Sequence, residues 1–122
     1  MERKYFANFN DPVDSPVIEI PSPRMDRQIF VGDKMLVAKN VLKAGVVVPA
    51  HKHPHEQISV VIRGECDVIT YLESGPVKQH CTAGGLALFP GDVEHEVRIS
   101  PDTDCEIWDL FSPVREEFIP KD

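Results

Sequence analysis

Short apolar runs separated by turn residues recur along almost the whole chain, and this pattern constrains the fold more than any other feature. The runs are rich in Val, Ile, Phe and Tyr, and Gly, Pro, Asp and Asn interrupt them about every ten residues, which is typical of a sandwich or barrel. We predict strands near residues 17–20, 28–31, 35–43, 45–50, 57–63, 65–73, 77–81, 86–89, 95–99 and 104–111. No stretch has sustained helical periodicity, and the 11 prolines disfavour long helices because proline lacks an N–H donor. The sequence therefore predicts an all-β fold.

The length of 122 residues fits one domain, but the first part of the chain differs from the rest. Residues 1–26 contain four prolines and only one short apolar run, Val17–Ile20. We expect this segment to form an extended N-terminal arm that lies over the barrel or over a neighbouring subunit. Residues 27–122 are then the β-barrel domain.

Composition and charge exclude several classes of function. The net charge of −7 argues against nucleic acid as a partner, because phosphate binding needs clustered Lys and Arg. It does not argue against an anionic small molecule, since one local Arg or one metal ion can override the average surface field. The three cysteines form no CxxC pair, and neither a secretion signal nor an apolar run of membrane-spanning length is evident. We therefore expect a cytoplasmic protein with reduced thiols and no membrane segment.

Four of the five histidines lie in two places, and the first of these is the dense segment His51–Gln57. On a strand, His51 and His53 would point to the same face about 7 Å apart, so that both imidazoles could bind one ion at ~2.1 Å. Gln57 has the same parity, although Pro54 bends the chain between them. A further ligand must come from elsewhere in the barrel, and His95 is the natural candidate because it opens a half-buried strand.

These residues predict one bound divalent metal ion. Glu56 is the rival of Gln57 as fourth ligand, whereas His55 is expected to face outward or to support a ligand, and His80 to be an exposed strand residue. The alternative is a set of surface histidines without metal, but two histidines at this spacing and a third across the barrel favour a site. Imidazole and amide donors suit Zn, Ni, Fe, Mn or Co, so the identity of the metal stays open.

The segment Cys105–Phe111 alternates between two faces, one of which carries Ile107, Asp109 and Phe111. If this face is the interior, Asp109 is a carboxylate among apolar residues near a metal. Burial would raise its pKa and the cation would lower it, and an acid in such a place is a candidate proton shuttle. In the alternative, the interior face is the other one, formed by Glu106, Trp108 and Leu110, and parity does not decide between them.

Two sets of residues at fixed spacing resemble the two conserved motifs of the cupins. The first set is Gly45, His51, His53, Gln57 and Gly64, and the second is Gly84, Pro90 and His95. The resemblance implies a double-stranded β-helix, the cupin or jelly-roll barrel. Two departures are present, because Gln57 replaces the usual Glu and the glycine of the second motif is Gly91, directly after the proline.

The neutral amide of Gln57 changes the charge of the predicted site. Three histidines and one glutamine leave the 2+ charge of an ion uncompensated, which favours Lewis-acid chemistry on an oxygen-containing substrate. The set of two histidines and one carboxylate that is usual for non-haem iron oxygenases is not evident.

The segment Asp109–Phe118, taken with His51–Gln57, resembles the pectin-degradation cupins that linearise unsaturated uronates. The resemblance extends from about Val37 to Phe118. It implies that the metal is held by His51, His53, Gln57 and His95, and that the active site is completed by Asp109, Phe111 and Arg115. It also implies a homodimer, since cupins often pair through their arms and outer sheets.

The function implied by this resemblance is the conversion of 4,5-unsaturated monouronates from pectin or alginate breakdown to linear keto forms. The metal would polarise the sugar oxygens, and Asp109 would move protons during ring opening and tautomerisation. Arg115 would hold the substrate carboxylate, or else be an ordinary surface arginine, and Phe111 would form a wall of the pocket. Two alternatives stay open, namely a metal-dependent oxygenase or other small-molecule cupin enzyme, and a non-catalytic ligand-binding cupin.

Overall fold

In the computed structural model, which describes residues 4–121, the chain forms ten β-strands and one short 3₁₀ helix. The strands are β1 Ile18–Ile20, β2 Met25–Val31, β3 Leu36–Leu42, β4 Val47–His51, β5 Glu56–Arg63, β6 Cys66–Leu72, β7 Gly75–Cys81, β8 Leu86–Phe89, β9 His95–Ile99 and β10 Cys105–Ser112. The 3₁₀ helix, Glu116–Phe118, follows the last strand. Within residues 4–121, no helix is long and apolar enough to cross a membrane.

The strands form two antiparallel sheets. The first has the order β1-β2-β3-β10-β5-β8, and the second has the order β4-β9-β6-β7. Strands distant in sequence pair within both sheets, and β10 pairs with β3 on one side and with β5 on the other. This arrangement confirms the predicted all-β double-stranded β-helix, or jelly-roll barrel.

All ten predicted strands occur, and most begin and end within two residues of the predicted positions. The largest difference is at β2, which begins at Met25 and not near residue 28. The first part of this strand was not predicted, because the polar residues Asp26 and Arg27 interrupt the apolar pattern. Arg27 shares its face with the buried Met25, so a charged residue occupies an inward position that the apolar pattern alone does not reveal.

The orientation of β10 resolves the alternative that parity left open. Ile107 and Phe111 are 5% and 1% exposed, so the face that carries Asp109 is the interior one. Trp108 lies on the outer face, where its ring meets the ring of Phe9 edge-on at 5.4 Å between centroids. The outer face of β10 is thus apolar because the N-terminal segment packs against it.

The interior contains two apolar clusters. The larger includes the three cysteines as buried free thiols, together with Met25, Leu42, Val46, Val61, Val68, Phe89, Ile99 and Ile107. The smaller is formed by Leu36, Ala38 and Phe111, against which Phe118 and Ile119 of the C-terminal segment pack. Residues of both clusters border one cavity, and the site described below lies in this cavity.

The N-terminal segment lies against the outer face of its own barrel. β1 pairs with β2 at the edge of the six-stranded sheet. Before β1, the buried amide of Gln28 donates hydrogen bonds to the backbone oxygens of Phe9 and Ser15, at 2.8 and 2.7 Å. Tyr5 and Phe6 stay 76% and 89% exposed. The homodimer stays a prediction.

Gly64, in the turn between β5 and β6, packs closely against the backbone at the start of β10. Its φ is +88°, and a Cβ there would lie 2.5 Å from the oxygen of Asp104 and 2.8 Å from Cα of Cys105. Gly64→Ala should therefore lower the free energy of unfolding by about 3 kcal/mol or more, from backbone strain and the clash together. Gly84 has φ +89° with nothing within 4 Å, so Gly84→Ala should cost only the strain of about 1–2 kcal/mol. Urea unfolding measures both, and equal losses would contradict the steric argument.

Candidate metal centre

Three histidines converge at one end of the barrel interior. His51 is the last residue of β4 and His95 is the first of β9, and the two are opposite each other in the ladder between these strands. The ring centroids of His51 and His95 lie 4.5 Å apart, and that of His53 lies 5.0 Å from His95. One ligand atom from each histidine lies within 4.8 Å of the others, and no other group of this kind exists among residues 4–121. Donors bound to one ion at ~2.1 Å are roughly 3 to 4 Å apart, so a small closure of the side chains suffices.

His53 reaches the cluster from a loop. β4 ends at His51, so the strand geometry that would direct His51 and His53 to one face does not extend to His53. The loop is held instead by the turn that precedes β9, where the N–H of Asp92 donates to the oxygen of His53 at 2.8 Å. Gly91 permits this close approach, since a Cβ there would lie 2.5 Å from the oxygen of Pro54. Gly91 therefore has a role beyond the turn, because its lack of a side chain lets Asp92 form the hydrogen bond that holds His53.

Backbone carbonyls orient all three imidazoles. The Nδ1 atoms of His51, His53 and His95 lie 2.8, 3.1 and 3.0 Å from the oxygens of Pro49, His55 and Val93, respectively. A carbonyl oxygen only accepts hydrogen bonds, so each Nδ1 carries the hydrogen and each Nε2 keeps its lone pair. This is the arrangement that fixes the tautomer of metal-binding histidines.

His95 shows most clearly that the cluster suits a cation. Its Nε2 is buried without a hydrogen-bond partner, and its ring stacks on Phe89 at 4.1 Å between centroids. Burial lowers the pKa of His95 to about 4, and burial likewise lowers the pKa of His53. Both rings are therefore neutral near pH 7, which is the protonation state that binds a metal.

The amide of Gln57 has its oxygen toward the cluster. Its Nε2 donates to Oγ of Ser59 at 2.9 Å, and the hydroxyl of Ser59 donates to Oδ1 of Asp109 at 2.6 Å. Oε1 of Gln57 then lies 3.0 Å from Nε2 of His53. With the hydrogen of His53 on Nδ1, two acceptors face each other, and a cation between them satisfies both. The residues present therefore fit a metal ion.

Gln57 and Glu56, the two candidates for the fourth metal ligand, point in different directions. Gln57 is 6% exposed and faces the interior, whereas Glu56 points to the solvent from the first position of β5. The structure thus brings together His51, His53, His95 and Gln57, and leaves Glu56 outside this group.

The remaining two histidines lie apart from the cluster centre. His55 is half-buried, and its backbone oxygen accepts the hydrogen bond from His53. His80 is exposed on β7, where its Nδ1 lies 2.8 Å from Oδ1 of Asp67. Neither contributes a ligand atom to the three-histidine group.

Asp109 is held inside the barrel by two hydrogen bonds from neighbouring strands. Ser59 of β5 donates to Oδ1, and the amide of Asn40 of β3 donates to Oδ2 at 2.8 Å. Burial raises the pKa of Asp109, and the hydrogen bond from Ser59 and the positive charge of Arg27 oppose this shift. A raised pKa makes a carboxyl a stronger proton acceptor, which is the property that a general base needs.

Arg115 and Phe111 complete the wall of the same cavity. The cavity is also lined by His51, Gln57, His95 and Asp109. The guanidinium carbon of Arg115 lies 5.1 Å from the ring centroid of Phe111, and its buried Nε forms an ion pair with Oε2 of Glu117 at 3.5 Å. Burial lowers the pKa of Arg115, against the attraction of Glu117. An incompletely paired guanidinium in a cavity suits the binding of a carboxylate.

Sequence reasoning did not single out four further residues of this cavity, which are Arg27, Asn40, Ser59 and Phe118. Ser59 could have been found by parity, because it follows Gln57 by two positions on one strand. Asn40 is a polar residue at a buried position of β3, where the burial pattern alternates strictly. Arg27 had no such signal, since its strand was predicted to begin after it.

Comparison with known proteins gives a consistent result. A family model described as the cupin domain matches residues 40–111. Among curated protein sequences, none matches the chain.

Solved structures extend the similarity over nearly the whole chain. An RmlC-like cupin from Shewanella frigidimarina NCIMB 400 is 28% identical, with a TM-score of 0.82 and coverage of 98% of this chain and 100% of its own. KdgF from Halomonas sp. is 22% identical, with a TM-score of 0.78 and coverage of 97% and 100%. A variant of oxalate decarboxylase from Bacillus subtilis is 16% identical, with a TM-score of 0.76 and coverage of 95% of this chain and 33% of its own. The last two comparisons show similarity of fold.

The first prediction from this geometry concerns metal content. Replacing both His51 and His53 by Ala should abolish stoichiometric binding of a divalent metal, because two of the three imidazole donors are lost. The barrel should stay folded, since its apolar clusters do not depend on the ion. Elemental analysis of the purified protein measures the content. His80→Ala, at an exposed histidine outside the cluster, is the matched control, and equal metal in wild type and double variant would rule out this site.

The second prediction concerns acid stability of the metal-free protein in EDTA. The pKa of His95 is about 4 in the folded state and about 6.5 when unfolded, so the unfolded chain binds one more proton between these values. The free energy of unfolding should therefore fall as the pH falls below 6.5, and His95 should contribute up to about 1.4 kcal/mol per pH unit. His95→Gln removes this contribution, and urea unfolding between pH 7 and 4.5 should give a shallower slope. Parallel slopes for wild type and variant would contradict the prediction.

Proposed function

The chain belongs to the cupin family, and from this premise we propose that it is a metal-dependent enzyme acting on 4,5-unsaturated monouronates. It would convert these products of pectin or alginate breakdown to linear keto forms by ring opening and tautomerisation. The observation that carries the proposal is the hydrogen-bonded connection from Gln57 through Ser59 to Asp109, which links the three-histidine cluster to an inward-facing carboxyl in one cavity. The sequence resemblance of Asp109–Phe118 and His51–Gln57 to the pectin-degradation cupins supports the choice of substrate.

The proposed metal ligands are His51, His53, His95 and Gln57. When bound there, one divalent ion of Zn, Ni, Fe, Mn or Co would supply Lewis-acid polarisation of the substrate oxygens. All four donors are neutral, and the only group of potential metal ligands of its kind within residues 4–121 contains histidines alone. This favours Lewis-acid chemistry over the carboxylate-containing donor set that is usual for non-haem iron oxygenases.

Arg115 and Phe111 would position the substrate. The guanidinium of Arg115 borders the cavity and can bind the uronate carboxylate through the N–H groups that its ion pair with Glu117 leaves free. The ring of Phe111 is 1% exposed and borders the cavity between Arg115 and His53, whose ring centroid is 5.7 Å away. It would exclude water from one side of the sugar.

Asp109 would move the protons. In ring opening, the anomeric hydroxyl loses its proton, C1 becomes a carbonyl and the bond from C1 to the ring oxygen breaks, which leaves an enol at C5. In tautomerisation, the enol oxygen loses its proton and C4 gains one. Atoms and electrons balance without any co-reactant, so one carboxyl that accepts and returns a proton suffices. The raised pKa of Asp109 suits it to both steps.

Asp109→Asn should lower turnover of unsaturated galacturonate by about 10²–10⁴-fold, because the amide keeps the size of the side chain but does not accept a proton. Metal content should stay unchanged. Arg115→Ala should chiefly raise KM, since the carboxylate is bound in both the ground state and the transition state. The assay follows the loss of absorbance of the ring double bond with metal-loaded protein, against the spontaneous rate.

The control for this experiment is Glu106→Gln, which changes a carboxylate on the outer face of the same strand, where it pairs with Arg63. No acceleration over the spontaneous rate with any of the five metals would discard the uronate proposal and favour a non-catalytic ligand-binding role. Acceleration that Asp109→Asn leaves intact would keep the reaction and remove Asp109 from its mechanism.

A further inference from the structure

A second arginine borders the cavity from β2, near one edge of the six-stranded sheet. Arg27 of β2 lies on the inward face and borders the same cavity as Arg115, His51 and Asp109. Its Nε donates to Oδ1 of Asn40 at 2.8 Å, and Asn40 in turn donates to Asp109. Arg27 is thus part of the hydrogen-bonded group that surrounds Asp109.

The two arginines share one aromatic neighbour. The guanidinium carbon of Arg27 lies 3.6 Å from the ring centroid of Phe118, and that of Arg115 lies 4.4 Å from the same centroid. The two guanidinium carbons therefore lie no farther apart than these two distances together. A single carboxylate can accept hydrogen bonds from two guanidinium groups at such a separation.

The charges that line the cavity do not balance. The charged residues that line it are Arg27, Arg115 and Asp109, although the whole chain carries a net charge of −7. The carboxylate of Glu117, outside this lining, lies 3.5 Å from Nε of Arg115. The pKa of Arg27 is lowered to about 10, chiefly by burial; Asp109 opposes this shift and the nearby Arg115 adds to it. Two guanidinium groups in a half-buried site repel each other, and an anion bound between them relieves this repulsion.

Arg27 also has N–H groups that can donate hydrogen bonds to a ligand. A guanidinium has five N–H donors, and the hydrogen bonds to Asn40 and to Sδ of Met25 use only two of them. A purely structural cation–π contact with Phe118 would explain the stacking. It does not explain why a second cation is buried beside Arg115, since an apolar side chain would pack on the ring without the repulsion.

We infer that Arg27 is a specificity-determining residue that, together with Arg115, binds the carboxylate of the substrate beside Phe118. The inference rests on the proposed function, and it narrows the ligand class to sugar acids with a free carboxylate, as opposed to their esters and to neutral sugars. Through Asn40, the bound carboxylate is also connected to the carboxyl of Asp109.

The experiment measures binding to metal-loaded full-length protein by isothermal titration calorimetry. The probes are D-galacturonate, which lacks the ring double bond and so does not react, its methyl ester, and D-galactose. Wild type should bind galacturonate tighter than the ester, and Arg27→Gln should reduce this preference by about tenfold or more, since charge-assisted bonds to one guanidinium are lost. Affinity for galactose and metal content should not change.

Two further variants make the test specific. Arg24→Gln removes a positive charge from an exposed residue just before β2 and should leave the preference intact. Arg27→Lys keeps the stem and the charge but loses the forked geometry, so it should show an intermediate preference. It also serves as the folded variant if Arg27→Gln does not fold, as judged by thermal melting.

The outcomes separate this inference from the proposed reaction. Equal preference in wild type, Arg27→Gln and Arg27→Lys would overturn the role of Arg27, and the proposed function would stand if unsaturated galacturonate is still converted. An Arg27-dependent preference without any conversion would keep the subsite and overturn the reaction. Failure of wild type to distinguish galacturonate from its ester would overturn the subsite, and the absence of both this preference and conversion would overturn both proposals.

Discussion

Hydrogen bonds from three imidazoles to backbone carbonyls are the constraint on which the site depends. The carbonyls of Pro49, His55 and Val93 each accept from an Nδ1 atom, and none of them can donate in return. The chemistry of the site is therefore set by the course of the backbone. Each of these carbonyls lies two residues from its histidine, so the local conformation of three short segments presents three Nε2 lone pairs to one point. If the backbone at any of these carbonyls had a different conformation, the tautomer of that histidine would not be fixed and one metal ligand atom would be lost.

The same kind of constraint extends from the cluster to Asp109. Asp109 lies directly opposite Ser59 of β5 and opposite Ala38 of β3, because β10 is the strand between them. Side chains opposite or diagonal across a ladder are close enough for hydrogen bonds, so the register of three strands places the hydroxyl of Ser59 and the amide of Asn40 against one carboxyl. The ionised carboxylate requires Ser59 to donate, and this in turn requires Ser59 to accept from Gln57. A negative charge on Asp109 thus keeps the amide oxygen of Gln57 directed at His53, so the acid and the metal ligand depend on each other through one hydroxyl.

Much of this arrangement could be predicted from sequence, for identifiable physical reasons. Strand periodicity and turn residues revealed the ten strands, and the spacing of His51, His53 and His95 revealed the cluster. The inward face of β10 could not be predicted, because both of its faces are apolar. Only the tertiary structure shows that the apolar side chain of Trp108 lies on the outer face, where Phe9 packs against it. The contact that holds the loop of His53 could not be predicted either, because it joins Gly91 to Pro54, which is distant in the sequence.

Arg27 shows a more general difficulty, because an inward-facing charge contradicts the pattern that identifies a strand. The proposed binding of a ligand carboxylate accounts for the retention of this cation, because an apolar side chain would avoid the cost of burying a charge. The contrast with the surface supports this view. The net charge of −7 repels anions at long range, but at physiological ionic strength this field decays over about 8 Å. Within the cavity, the two guanidinium groups act on a ligand at contact distance and in a medium of lower dielectric constant. Selection for a free carboxylate would therefore take place inside the barrel, where Arg27 and Arg115 share the ring of Phe118, and would be independent of the acidic exterior.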